Sequence, residues 1–110
     1  MNAMTGLIHF VGYQLRPDLD DAKIERVRSG FAGLVKAVPD SSLLAIGPNI
    51  SHSSFAAGWD YAAIVGFDGT EALQAYIAHP LHKALGAETS DGFYRTCIVL
   101  DIKTGEGGAT

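Results

Sequence analysis

Cysteine is almost missing from this chain: Cys97 is the only one in 110 residues. A lone cysteine excludes an internal disulfide framework and fits a reducing compartment, so a cytoplasmic location is expected. Cys97 itself reads as a buried strand residue, since a reactive thiol needs an electropositive, partly exposed setting. Charge is sparse too. Eight Lys and Arg stand against twelve Asp and Glu, a net charge of −4. No basic cluster interleaves with aromatics, so no nucleic-acid partner is expected. No apolar run approaches the roughly 18 to 20 residues that span a bilayer, and no membrane partner is expected. The opening MNAMTGLIHF lacks the basic segment and long apolar stretch of a secretion signal. The glycines form neither a GxGxxG nor a GxxxxGK phosphate loop, and there is no Gly-x-Ser-x-Gly elbow. The usual devices for nucleotide binding and for serine hydrolysis are therefore missing.

Apolar residues, by contrast, are plentiful. They make up 47% of the chain against 18% charged, which suits one folded domain and argues against disorder. That domain is expected over residues 6–103, with 1–5 and 104–110 as flexible termini. Gly6–Leu15 alternates, and both of its alternating sets are largely apolar, as in a strand buried on two sides. Arg16-Pro17-Asp18 opens a helix, with Asp18 as cap and Asp20 and Asp21 near the positive end of its dipole. Ile24, Val27, Phe31, Leu34 and Val38 then recur at spacings of 3, 4, 3 and 4, one apolar stripe of an amphipathic helix. Pro39-Asp40 ends it. Ser42–Ile50 reads as a second strand, Ser51–Gly58 as a loop and Trp59–Phe67 as a third strand. Asp68-Gly69-Thr70 opens a second helix with apolar positions Leu73, Tyr76, Ile77, Leu81 and Leu85. Pro80 removes a backbone donor inside it, which predicts a kink or restart near His79. Gly86–Gly92 reads as a loop and Phe93–Ile102 as a fourth strand.

The order is β-α-β-β-α-β, the ferredoxin-like split pattern of an α+β fold with an antiparallel sheet. Two helices cover one face of such a sheet. Ile8, Phe10, Ile64, Val65, Ile98 and Val99 leave apolar residues on both faces, and an uncovered apolar face is a large exposed patch. Pairing two sheets face to face removes it, so a homodimeric α+β barrel is expected.

Four histidines are available for chemistry: His9, His52, His79 and His82. His79 and His82, three apart, share a face of an unbroken helix, but a transition-metal site wants a third ligand. His52 and Asp60 are the nearest candidates and nothing in the pattern brings them there, so no metal is expected. Tyr76 and His82 form a different pair. A phenol can donate a hydrogen bond to a carbonyl, and a neutral imidazole can accept a proton near pH 7. Six residues separate them, off alignment on a straight helix, unless the restart at Pro80 swings His82 back. The plain alternative is a tyrosine packed in the core and a histidine facing water. His9, central in an apolar strand, is either a satisfied core histidine bonded to Tyr61 or Tyr76, or a pocket wall.

The motifs together are similar to a known family, the stress-responsive A/B barrel domain of the dimeric α+β barrel superfamily. The resemblance runs from Leu7 to Ile102. It is carried by His9-Phe10-Val11, Arg16-Pro17-Asp18, Gly47-Pro48-Asn49, Trp59-Asp60-Tyr61 and above all by the Tyr-x-x-His-Pro-x-His pattern at Tyr76, His79, Pro80 and His82. The resemblance implies a ferredoxin-like protomer in a homodimeric barrel. Most of the family has no assigned activity; one member is a cofactor-free polyketide cyclase. Its catalytic tyrosine and histidine match Tyr76 and His82, and its pocket histidines match His9 and His79. Where it carries a further pocket histidine, this chain has Tyr61. The resemblance thus implies an enzyme without cofactor, acting by acid–base chemistry on a small apolar carbonyl compound. Two other readings stay open: a non-enzymatic stress or assembly protein that works as a dimer, and a cofactor-free monooxygenase on the same barrel.

Overall fold

Leu7–Leu15 forms strand β1, and its two apolar sets face opposite ways. In the computed structural model, which describes residues 6–104, it is followed by helix α1 (Asp21–Ala37), strand β2 (Ser41–Pro48), a short 3-10 turn (Ser54–Ala56) and strand β3 (Tyr61–Phe67). Helices α2 (Thr70–Ala78) and α3 (Pro80–Ser90) and strand β4 (Tyr94–Lys103) complete the order. The strands pair antiparallel in the order β2-β3-β1-β4, which leaves β2 and β4 at the edges. This is the ferredoxin-like α+β architecture that the element order predicts. The expected flexible termini, 1–5 and all of 104–110 but Thr104, lie outside the described residues.

The inner sheet face carries Leu7, His9, Val11 and Tyr13, opposite Phe67, Val65, Ala63 and Tyr61 in register. The helices pack there. Val27, Phe31 and Leu34 of α1 are buried with Val38 just beyond it, so the stripe read from the spacing is the core stripe. The cap is Asp20 rather than Asp18: its carboxylate accepts from Lys23 N at 2.9 Å. Asp18 sits before the helix, exposed, 3.9 Å from Arg16 Nε.

Besides one-residue shifts at the ends of β1, β2 and β4, three boundaries differ from the sequence expectation. β2 stops at Pro48, because Asn49 N already turns to Asp60 O at 2.8 Å and Ile50 points into solvent. β3 starts at Tyr61, because Trp59 N closes a turn onto Ala56 O. The third is larger. Gly86–Gly92 is not a loop: α3 continues through Gly86 to Ser90. Tertiary packing outweighs the weak helix propensity of Gly86, Thr89 and Ser90. Lys23, itself buried, donates its ammonium to Glu88 O and to the Glu88 carboxylate, while Thr89 is buried against the core. The expected restart near His79 is present, with α2 ending at Ala78 and α3 beginning at Pro80.

The outer sheet face is uncovered. Ile98, Leu100 and Ile102 of β4 are exposed there, with Ile8 and Phe10 half-buried beside them. Among the described residues, no helix is long and apolar enough to cross a membrane.

Candidate functional site

The break between α2 and α3 is what assembles the site. Tyr76 lies in the last turn of α2, one turn before the chain leaves helical geometry at His79 (φ −69°, ψ 141°). Pro80, at the first position of α3, has no N–H to lose there and starts the new helix. His79 Nδ1 accepts from Leu81 N at 3.0 Å, so this imidazole serves as the N-cap of α3. His82 then falls in the first turn of α3, and its ring centroid lies 5.4 Å from that of Tyr76, edge-on at 66°.

On its other side Tyr76 meets the sheet. Its ring packs edge-on against Phe67 at 5.0 Å and against His9 at 5.6 Å. Tyr76 is therefore flanked by two imidazoles, one from the sheet and one from α3. His9 is buried, and its Nδ1 lies 2.6 Å from Asp101 Oδ1 on the neighbouring edge strand.

His9, Tyr76 and His82 all line one cavity of about 310 Å³ between the sheet and the helices. Its walls are largely apolar, with Val11, Phe31 and Leu85 prominent, and no lysine or arginine is among its lining residues. The Tyr76 side chain is almost wholly buried, yet its hydroxyl bonds to no other described residue. Tyr76 is itself one of the residues that line the cavity.

Burial sets the protonation states. It pushes the Tyr76 phenol above its ordinary range, so the hydroxyl keeps its proton and can only donate or accept as a neutral group. It pulls the His82 imidazole below its ordinary range, with the nearby His9 adding to the effect. His82 is thus neutral near pH 7. The Cys97 thiol also lines the cavity and is pushed up by burial, which keeps it protonated and a weak nucleophile.

Two of the five residues singled out from sequence lie elsewhere. Tyr61 is buried on the same sheet face, but it packs edge-on against Phe93 at 5.9 Å and lines no part of this cavity. A shared face is not a shared pocket: Tyr13, the register partner of Tyr61, lines the cavity and meets Phe93 edge-on at 5.1 Å. His79 is the helix cap just described and likewise does not reach the cavity lining. His52 is exposed on the loop before β3, and Asp60 accepts from Leu15 N at 3.0 Å. No group of three His, Cys, Asp or Glu suited to a metal ion occurs among the described residues.

Asp101 was missed by sequence reasoning. Its signal was present: in Phe93–Ile102 it shares alternation with Cys97 and Val99, which makes it a carboxylate on an inward strand face. Pairing it with His9 required the β1–β4 register, in which the two residues are direct partners.

A sequence model of the stress responsive A/B barrel domain matches residues 7–104. The chain belongs to this family. Among its relatives is olivetolic acid cyclase of Cannabis sativa, 22% identical over 93 residues, which cover 84% of this chain and 91% of the cyclase. Two solved structures share the fold of this A/B barrel domain. One is a dimeric ferredoxin-like protein of unknown function from Thermobifida fusca (TM-score 0.75, 20% identity, 90% of this chain and 91% of that one). The other is the hydroxynitrile lyase of Passiflora edulis (TM-score 0.77, 15% identity, 94% and 96% covered).

Proposed function

We propose that this A/B barrel domain protein is an acid–base enzyme acting on a small, apolar, carbonyl-bearing compound, working as a homodimer in the cytoplasm. The supporting observation is the convergence of Tyr76, His82 and His9 on one apolar cavity. In this reading His82, neutral at physiological pH, takes a proton from the carbon next to the carbonyl. The electron pair of that C–H bond moves onto the carbonyl oxygen, and the Tyr76 hydroxyl donates a hydrogen bond to the developing enolate. The enolate carbon then adds to a second carbonyl carbon of the same substrate, whose C=O π pair moves onto its own oxygen and takes up the proton from His82; without such a carbonyl, His82 returns its proton to the enolate carbon. His9, steadied by Asp101, forms the wall beside the tyrosine. The chemistry draws on protein side chains alone.

The names of two relatives, a cyclase and a lyase, favour an enzyme over a purely structural protein. The single free cysteine fits a reducing compartment. The exposed apolar outer face, and the dimeric state of the Thermobifida fusca protein, favour the homodimer. Thermal-shift measurement against small β-dicarbonyl and hydroxyaromatic compounds tests the reading. A saturable rise in Tm that His82→Ala abolishes is the expected result. No shift with any of them would favour a protein whose dimer is its only product, and ligand-dependent oxygen uptake would favour a monooxygenase.

A further inference from the structure

The segment 49–59, between β2 and β3, is held by a chain of its own hydrogen bonds. The Asn49 amide nitrogen donates to Trp59 O at 2.6 Å, and its oxygen accepts from Ser51 N at 2.9 Å. The Ser51 and Ser53 hydroxyls accept from Ser53 N and Phe55 N, each at 3.0 Å. Ala57 and Gly58, with φ of 51° and 83°, turn the chain back. Gln14, on the outer face of β1, donates from Nε2 to Ala57 O at 3.1 Å and ties the segment to that face.

What this scaffold holds up is apolar. Phe55 is 93% exposed and Ile50 84% exposed. The segment, NISHSSFAAGW, contains no Asp, Glu, Lys or Arg in a chain that is 18% charged. Depletion of charge and enrichment in aromatics mark the centre of protein interfaces. A groove of about 430 Å³ runs between the segment and the outer face, lined by Phe55 and Trp59 on one side and Phe10, Gly12 and Ile98 on the other. A Cβ on Gly12 would lie 3.1 Å from both the Ile98 side chain and the Phe10 ring, so glycine keeps the groove floor clear.

We propose that 49–59 is an arm that seats on a second copy of this chain, with Phe55 as its leading contact. The inference rests on the homodimer reading above and says how that dimer is held. The second copy is favoured as occupant because the groove is continuous with the Ile98 side of the outer face, which that reading assigns to the dimer contact. A two-fold axis gives each copy both an arm and a receiving face, so every arm contact is made twice.

Sedimentation analysis of the full chain tests it, comparing wild type with Phe55→Ser and Gln14→Ala. Because Phe55 is exposed within the protomer, Phe55→Ser leaves that protomer's fold intact. Its loss from two symmetric contacts is expected to weaken dimerisation at least about a hundredfold. Gln14→Ala, which frees the arm without removing its contact, is expected to weaken it by about tenfold. Amide exchange of wild-type residues 49–59 is expected to slow in the dimer relative to protein diluted below its dissociation constant. A wild-type dimer whose dissociation constant moves less than about threefold on Phe55→Ser, or whose arm amides exchange alike in both states, overturns the arm. Saturable binding of an apolar dye in the groove of an intact dimer also overturns it. A monomeric wild type overturns instead the homodimer reading beneath it.

Discussion

His9 and Asp101 are register partners across β1 and β4, and their side chains meet at 2.6 Å between Nδ1 and Oδ1. A carboxylate only accepts, so the imidazole must carry a proton on Nδ1. That leaves Nε2 as the atom not engaged by Asp101, on a ring that stands edge-on to Tyr76. The pair holds one tautomer and one ring orientation at the cavity wall.

Asp101→Ala is therefore expected to release the His9 tautomer. Nitrogen-detected NMR of the histidine rings should show His9 as a single Nδ1–H form in wild type and as a mixture in the variant. Asp101→Asn, which keeps an accepting oxygen in place, should retain most of the Nδ1–H form. Stability should fall by about 1 kcal/mol in the alanine variant, the usual cost of one lost hydrogen bond to a buried group. Unchanged spectra in Asp101→Ala would show that the ring is held by packing alone.

Tyr76→Phe separates packing from chemistry. The ring contacts to Phe67, His9 and His82 survive this change. Only the hydroxyl is lost, and no described residue loses a partner with it. Unfolding free energy should move by less than about 1 kcal/mol. Turnover of a substrate found by ligand screening should fall by a factor of about 10² to 10³, the range for removing one donor to a developing oxyanion. Full activity in Tyr76→Phe would remove the tyrosine from the mechanism.

The pH profile follows from the same two groups. His82 works as a base only when neutral, and burial holds its imidazole below the ordinary histidine range. Protonation on the acid side removes the base. Activity should rise with pH through a midpoint below 6.5 and then level off. Because the Tyr76 phenol is pushed upward, the plateau should extend past pH 9 without an alkaline limb from this residue. An acid limb centred at or above pH 7 would point to a base other than His82.

The sequence carried the fold further than the site. Period-2 and period-3.6 patterns are local, and they named every strand and the core stripe of α1. Pro80 announced the helix break by a local rule as well. Residues 86–92 read as a loop because Gly86 and the polar run after it lack helix propensity, while the forces that keep 86–90 helical come from α1, through Lys23 and Glu88. The site repeats this division. Tyr76 and His82 were legible as a pair once the break was recognised. Asp101 was not, because its partner is 92 residues away and only strand register brings them together. His79 and Tyr61 look equivalent to their neighbours in a motif, and only backbone geometry shows that one caps a helix and the other packs on Phe93.

Gly30, in the middle of α1, offers a test of the cavity that does not touch its polar groups. A Cβ there would lie 2.9 Å from Leu85 Cδ1, and Leu85 lines the cavity wall. In Gly30→Ala the methyl must turn the Leu85 side chain, whose terminal atoms can rotate, and that rotation narrows the pocket. Alanine favours a helix interior over glycine by about 1 kcal/mol, and an off-rotamer leucine costs about 0.5 to 1.5 kcal/mol. The two nearly cancel, so Tm should change by less than about 5 °C. Ligand affinity should not cancel: the largest compounds that shift wild-type Tm should bind about tenfold more weakly, while the smallest bind as before. Uniform binding across that size series in calorimetric titration would mean that Leu85 moves outward and that the cavity does not select by size.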